Sequence, residues 1–204
     1  SIQIVNSGLS TSIVDLFVYT SNVVSPVISI RVAKNSSKQI YLDTLAPGEN
    51  SVAIHAITRS GRVTTYIHDE RVRGLQPLGA DFVSQGIDPA KRIVIPAISN
   101  LGLKSRKSKQ LLRILVPGKV SANIQAKLLS SDGTFTPLGL DNINADSGKV
   151  TDLTFKPVIN SRNFALVLTS DQPIVAAVKS SGVLNGVEEF AWSNPVAELK
   201  NLII

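Results

Sequence analysis

AIHAITRSGRVTTYIHDE at 53–70 lies over FALVLTSDQPIVAAVKSS at 164–181 without a gap, and this match decides how the chain is read. Thr58 falls on Thr169 and Val63 on Ile174, with apolar residues recurring in step on either side. Carried outward, the same register places Val5 on Val116, Ile13 on Ile124, Phe17 on Leu128, Lys38 on Lys149 and Leu42 on Leu153. After a three-residue adjustment, Asp81 and Phe82 fall on Glu189 and Phe190. Few letters are identical, so what recurs about 111 residues apart is apolar spacing and turn chemistry. A fixed-period match of this kind marks a supersecondary unit written twice.

The repeated pieces are strand-like. IQIV (2–5), IVDLFVY (13–19), VISIRV (27–32), QIYL (39–42), VAIHAI (52–57) and VTTYI (63–67) occur in the first copy. LRILV, IQAKLL, KVTDLTF, FALVL and IVAAVK follow in the second. Runs this short, rich in β-branched residues and bounded by Gly, Pro, Asn, Asp and Ser, predict strands, and no segment keeps a helical period over three turns. Turn signals stand at Asn6-Ser7-Gly8, Ala46-Pro47-Gly48-Glu49, Arg59-Ser60-Gly61, Ser131-Asp132-Gly133 and Ser170-Asp171-Gln172-Pro173. The expected fold is all-β, with two tandem antiparallel β-sandwich units of immunoglobulin-like kind over 1–90 and 91–204. KRIVIPAI (91–98) precedes the second copy, and KNLII (200–204) matches its start. One strand thus precedes each unit: the first unit begins without its leading strand, and 200–204 closes a sheet or opens a further unit. An apolar edge left open invites aggregation, so this last strand is expected to be paired.

With 204 residues, 43% of them apolar and 18% charged, the chain has material for two modest cores and is far from a disordered composition. It contains no cysteine, which removes disulfides, thiolate metal sites and cysteine nucleophiles. It contains no methionine either, so Ser1 reads as the start of a processed or excised piece. No apolar run approaches the roughly 20 residues that span a bilayer as a helix. Of the net charge of +6, five units come from Lys104, Arg106, Lys107, Lys109 and Arg113 in the acid-free stretch 99–113, leaving +1 elsewhere. That stretch could form a patch for phosphate or an anionic polymer. Without interleaved aromatics it reads as a solvated loop between units, and no nucleic-acid partner is expected.

Chemistry-bearing residues are sparse. His55 lies in an apolar strand whose other copy carries Leu166 in the gapless match, so it reads as an inward or strand-face histidine. His68 precedes Asp69 and Glu70, but neighbouring strand residues diverge and cannot easily share one ion. There is no HExxH pair and no G-x-S-x-G elbow. Glu188 and Glu189 resemble a glycosidase pair, yet their adjacency makes them a turn and strand-start feature. Asp141, Asn144 and Asp146 form the best calcium candidate, because alternating oxygen side chains around a turn suit that ion. An Asx-rich loop is the preferred reading, and no cofactor is expected. Trp192, the one tryptophan, shares a strand face with Phe190 by alternation and is expected in the core.

VTTYIHDERVRGLQPLGADFV (63–83), PAKRIVIPAI (89–98), LLRILVPG (111–118), VTDLTF (150–155), LTSDQPIVAAVKSSG (168–182) and EEFAW (188–192), in this order and spacing, resemble a family of exported actinobacterial proteins of unknown function. The resemblance covers nearly the whole chain and is most distinctive at 74–81. It implies an extracytoplasmic protein, secreted or anchored at the cell surface by a membrane segment upstream of Ser1, and carries no catalytic or ligand residues with it. The function expected is a non-catalytic structural or adhesive module of a cell-envelope protein, whose partner is a cell-wall glycan or another envelope protein. The alternative is a cell-wall polysaccharide-binding module. There Trp192, Tyr66 or Tyr41 would stack on sugar rings while Lys104, Arg106, Lys107 and Lys109 contact anionic polymer. An enzyme using only carboxylates, Ser and Lys is permitted by the inventory, though no constellation points to one.

Overall fold

The computed structural model describes residues 1–22, 26–73, 76–83, 88–103 and 108–196. The chain is all-β, with antiparallel sheets and short helical turns only. It divides into two units, 1–85 with 148–150 and 86–147 with 151–204.

Unit 1 contains β1 (Ile2–Asn6), β2 (Ser12–Thr20), β3 (Ile28–Val32), β4 (Ser36–Ile40), the helical turn α1 (Leu42–Leu45), β5 (Val52–Ser60), β6 (Thr64–Arg73) and β7 (Gln76–Val83). Its strands pair as β4-β1-β6-β7 and as β3-β2-β5. Alternation selects the core face: Ile2 and Ile4 of β1 and Val14, Leu16 and Val18 of β2 are buried together with Val32, Leu45 and Ala46. The Asn6-Ser7-Gly8 turn is held by Asn6 itself, which is buried. Its Nδ2 donates to the carbonyls of Ser10, Val32 and Ala33 at 2.8, 3.0 and 3.1 Å, and its Oδ1 accepts from Gly8 N–H at 2.9 Å. Every polar atom of that side chain is satisfied, which offsets the cost of burying it. QIYL, expected as a strand, is split. β4 ends at Ile40 and Leu42 opens α1, because one helical turn lets Leu42 and Leu45 share a face against the core before Pro47-Gly48 ends it.

Unit 2 contains β8 (Ala90–Ser99), β9 (Lys109–Leu115), β10 (Ala122–Ser130), β11 (Gly133–Phe135), β12 (Ile143–Ala145), β13 (Val150–Phe155), β14 (Asn163–Leu184) and β15 (Val187–Ser193). β14 is the spine. Its first stretch, 163–170, runs between β10 and β8, and its second, 174–184, runs between β9 and β15. The turn expected at 170–173 does not reverse the chain. The β14·β8 register skips between Thr169 and Ile174 while the strand continues. Pro173 has no N–H to give a ladder, so the turn signal is spent on an irregularity where the strand changes neighbours. Asp171, within it, accepts from Asn123 N–H at 2.9 Å and from Asn123 Nδ2 at 3.0 Å. β14 turns into β15 through Asn185-Gly186, with φ 51° and 81°, the two-residue left-handed turn that matches strand twist. Ile93, Ile95 and Ile98 of β8 join Leu112, Ile114, Ile124, Leu128, Leu166, Leu168 and Val178 in the core, and Phe155 meets Phe164 edge to face at 6.2 Å.

The repeat is visible in the ladders. Val14·Thr58 and Val18·Ile54 in unit 1 correspond to Ile124·Ser170 and Leu128·Leu166 in unit 2. Ile2·Ile67 corresponds to Leu112·Val178, and His68·Phe82 to Lys179·Trp192. These pairs correct the gapless match. It holds over β6, where His68 lies on Lys179, but in β1, β2 and β5 it is one residue out. Val14 rather than Ile13 is the counterpart of Ile124, and Ile54 rather than His55 is that of Leu166. Phe82 answers to Trp192 rather than Phe190. Side chains alternate with period two, so a slip of one residue exchanges the core face for the outer face. The turn around Gly61 holds one residue more than its counterpart, a difference a gapless match cannot see.

Candidate functional site

The outer face of unit 2 carries a strip of charges and rings across four strands. Asp152 on β13, Arg113 on β9, Lys179 on β14, and Phe190 and Trp192 on β15 build it. Arg113 Nε and Nη2 donate to the two carboxylate oxygens of Asp152, each at 2.8 Å, a fork-to-fork geometry that fixes the guanidinium plane. The carbon of that guanidinium lies 5.5 Å from the centroid of the Trp192 ring. Lys179 Nζ lies 5.1 Å from the same ring and 4.0 Å from that of Phe190. Lys179 is only 6% exposed, and a desolvated ammonium gains more from an aromatic face than one in water. Alternation does place Phe190 and Trp192 on one face. That face is the outer one rather than the core, and Trp192 is half-buried there.

Unit 1 has the same ladder position filled differently. His68 stacks on Phe82 at 4.8 Å with the rings 21° apart, and Tyr66 meets Phe82 edge-on at 5.7 Å. Phe82 is 59% exposed. Tyr41 stands exposed immediately before α1. Tyr41 and Tyr66 belong to unit 1 and Trp192 to unit 2, so the three expected stacking residues do not share one sheet face. His55 is exposed on the outer face of β5 against Phe17, at 5.7 Å between centroids, and its counterpart is Val167.

Glu188 and Glu189 are exposed at successive positions of β15, opposite Val183 and Gly182, and so point to opposite faces. Asn144 lies on β12 opposite Asn123, with Asp141 and Asp146 flanking that strand, all three exposed. Among the described residues no three His, Cys, Asp or Glu side chains gather as a metal-holding group. Lys109 is exposed on β9 opposite Ser181. Lys104, Arg106 and Lys107 of the basic stretch, and residues 200–204, lie outside the described residues. No helix among the described residues is long and apolar enough to cross a membrane.

The carboxylates with perturbed acidity staple the structure. Asp15, 4% exposed on β2, accepts from Ser29 Oγ at 2.6 Å and pairs with Arg59 Nε; the Ser29 bond first, then Arg59, holds its pKa below the ordinary value. Asp132 is held low chiefly by the Asn160 N–H at 2.7 Å, and the Ser161 N–H also donates to it at 3.0 Å. Asp171 is held low by the Asn123 side chain and N–H. Inside unit 2, Ser180 Oγ donates to Gln110 Oε1 at 2.6 Å while Gln110 Nε2 donates to the Ser99 carbonyl at 2.8 Å, a buried polar pair used for architecture.

Arg113, Asp152 and Lys179 were not singled out as a group by sequence reasoning. The signal for them is alternation on three different strands, which becomes readable only when the ladder registers are known.

No curated protein matches the chain. Among solved structures, the crystal structure of Thermotoga maritima 1070 is 14% identical, covers 55% of this chain and 97% of its own, and has a TM-score of 0.46. The Anabaena sensory rhodopsin transducer is 20% identical, covers 46% of this chain and 97% of its own, and has a TM-score of 0.34. The family model that does match runs over residues 1–203, and the chain belongs to that family, DUF5719, a family of unknown function.

Proposed function

We propose that this chain is a non-catalytic structural or adhesive module of an extracytoplasmic cell-envelope protein, built as two tandem immunoglobulin-like β-sandwich units. The observation that carries the reading is the Asp152–Arg113–Trp192–Lys179–Phe190 strip. Its carboxylate, guanidinium, ammonium and rings are engaged with one another, so the face is organised as a rigid surface. The perturbed carboxylates Asp15, Asp132 and Asp171 are likewise engaged in holding strands and loops together. Polar groups that already satisfy each other favour packing over turnover.

The test is the emission of Trp192, the only tryptophan, with acrylamide quenching, for the chain alone and with purified wall polysaccharides. A structural module gives a shielded emission that no glycan changes. Protection of Trp192 by one glycan, with retention on a column of that glycan lost in Trp192→Ala, would replace the reading by polysaccharide binding. That second reading is favoured by one observation, Phe82 standing 59% exposed beside Tyr66 and His68. Retention lost in Phe82→Ala but kept in Trp192→Ala would place the glycan on unit 1.

A further inference from the structure

β14 and β15 are joined by two residues, Asn185 and Gly186, between the ladder pair Leu184·Val187. Both are exposed, and both take left-handed dihedrals, φ 51° and 81°. A Cβ built on Gly186 would meet no atom within 4 Å. A glycine after an asparagine gives its main-chain nitrogen the least hindered approach to the asparagine side-chain carbonyl. Two other places in the chain carry similar chemistry on a locked side chain. Asn6, before Ser7, is 1% exposed, with its Oδ1 accepting from Gly8 N–H and its Nδ2 donating to three carbonyls. Asp132, before Gly133, is fixed by the Asn160 and Ser161 N–H groups at 2.7 and 3.0 Å.

We propose that Asn185 is a self-modification site, where deamidation removes the side-chain amide and reroutes the main chain. The Gly186 nitrogen attacks Asn185 Cγ and gives up its proton to solvent, while the Cγ–Nδ2 bond breaks and ammonia leaves. Water then opens the resulting five-membered imide. Cleavage between the Gly186 nitrogen and Cγ leaves an ordinary aspartate, and cleavage between that nitrogen and the main-chain carbonyl leaves an isoaspartyl linkage. Both products add one negative charge. The second carries the main chain through Cβ and Cγ, one atom longer than before. A two-residue turn works because its dihedrals match the twist of the strands it joins, and the extra atom destroys that match. The Leu184·Val187 pair and the ladder beyond it then loosen. Phe190 and Trp192 stand on that arm, against Lys179 and Arg113, so the modification releases the rings of the outer strip. This goes beyond the functional reading above and does not depend on it.

The full chain is aged in warm, mildly alkaline buffer, and isoaspartate is mapped by labelling with an isoaspartyl methyltransferase followed by peptide analysis. Label is expected in the peptide holding residue 185, at least about tenfold above that holding Asn6, because a hairpin tip opens at far lower free energy than a buried turn. Asn185→Gln should abolish it, since the longer side chain would have to close a six-membered ring. Trp192 emission in the labelled chain should become more quenchable by acrylamide. Freshly made Asn185→Asp, with the new charge but the ordinary linkage, should quench like the unmodified protein. Absence of label at residue 185 in the folded chain overturns the proposal, whether or not the urea-unfolded chain is labelled there. Label at residue 185 with no change in Trp192 quenching overturns the release of the strip.

Discussion

Ile54 in unit 1 and Leu166 in unit 2 hold the same place in the same ladder, yet Leu166 is fully buried and Ile54 is not. Both face a core, and both sit opposite a buried residue, Val18 or Leu128. What differs is the neighbour on the far side, β8 in one unit and no described strand in the other. Burial is therefore set by what flanks a strand, while the strand's own pattern decides only which face turns inward. The outer faces differ in a parallel way. Lys179·Trp192 is bracketed by Arg113 and Phe190, whereas His68·Phe82 leaves its ring to solvent.

The sharpest way to break this comparison is to truncate both residues. Leu166→Ala should cost about 3 kcal/mol, as for a fully enclosed aliphatic side chain, and Ile54→Ala about 1 kcal/mol. Trp192 emission in urea follows unit 2, and amide exchange at β2 and β5 follows unit 1. Equal losses would mean that β8 adds no enclosure.

Gly61 comes next. It sits at φ 77°, and a Cβ there would lie 2.3 Å from Ser12 Oγ, whereas Gly186 at φ 81° faces open space. Gly61→Ala should destabilise unit 1 by about 2 kcal/mol, and Gly186→Ala should destabilise unit 2 by about 1 kcal/mol from backbone strain alone. Amide exchange at β5 and β6 and the Trp192 transition read the two effects separately.

A smaller effect of opposite sign is expected at Ser12. Its Oγ is buried with no hydrogen-bond partner among the described residues, and the Ser12·Val32 pair corresponds to Ala122·Ala145 in unit 2. Ser12→Ala should stabilise unit 1 by about 1 kcal/mol, the relief of a desolvated hydroxyl. A loss of stability would show that the hydroxyl is satisfied.

Asp15 separates the units by pH. Its folded pKa is below the unfolded carboxylate value of about 3.9, so its stabilisation is present above that value and is lost as pH falls through the folded pKa. The difference in unit 1 stability between the native chain and Asp15→Asn should be constant from pH 5 to 7 and shrink below about pH 4. A difference that grows on acidification would contradict the Ser29 and Arg59 account.

Much of the fold is legible in particular residues. The alternation in IQIV and IQAKLL marks strands, Asn6-Ser7-Gly8 marks a turn, and Phe190 with Trp192 marks one face of a strand. Asn185-Gly186 between apolar runs equally marks a hairpin turn. Ser170-Asp171-Gln172-Pro173 is ambiguous in sequence, because a proline between two strand runs signals either a reversal or a change of neighbour. The candidate site was less legible. Trp192 drew attention as a single residue, but its partners Lys179, Asp152 and Arg113 lie 13, 40 and 79 positions away along the chain.

The sequence by itself determined that this is an all-β chain written twice, because strand length, apolar alternation and turn residues are local properties that survive when letters change. Only the tertiary structure decided the register of the two copies, the outward placement of Trp192 and the covering of β14 by β8. Each of these depends on which strand lies beside which, and a one-residue slip in register exchanges the two faces of a strand.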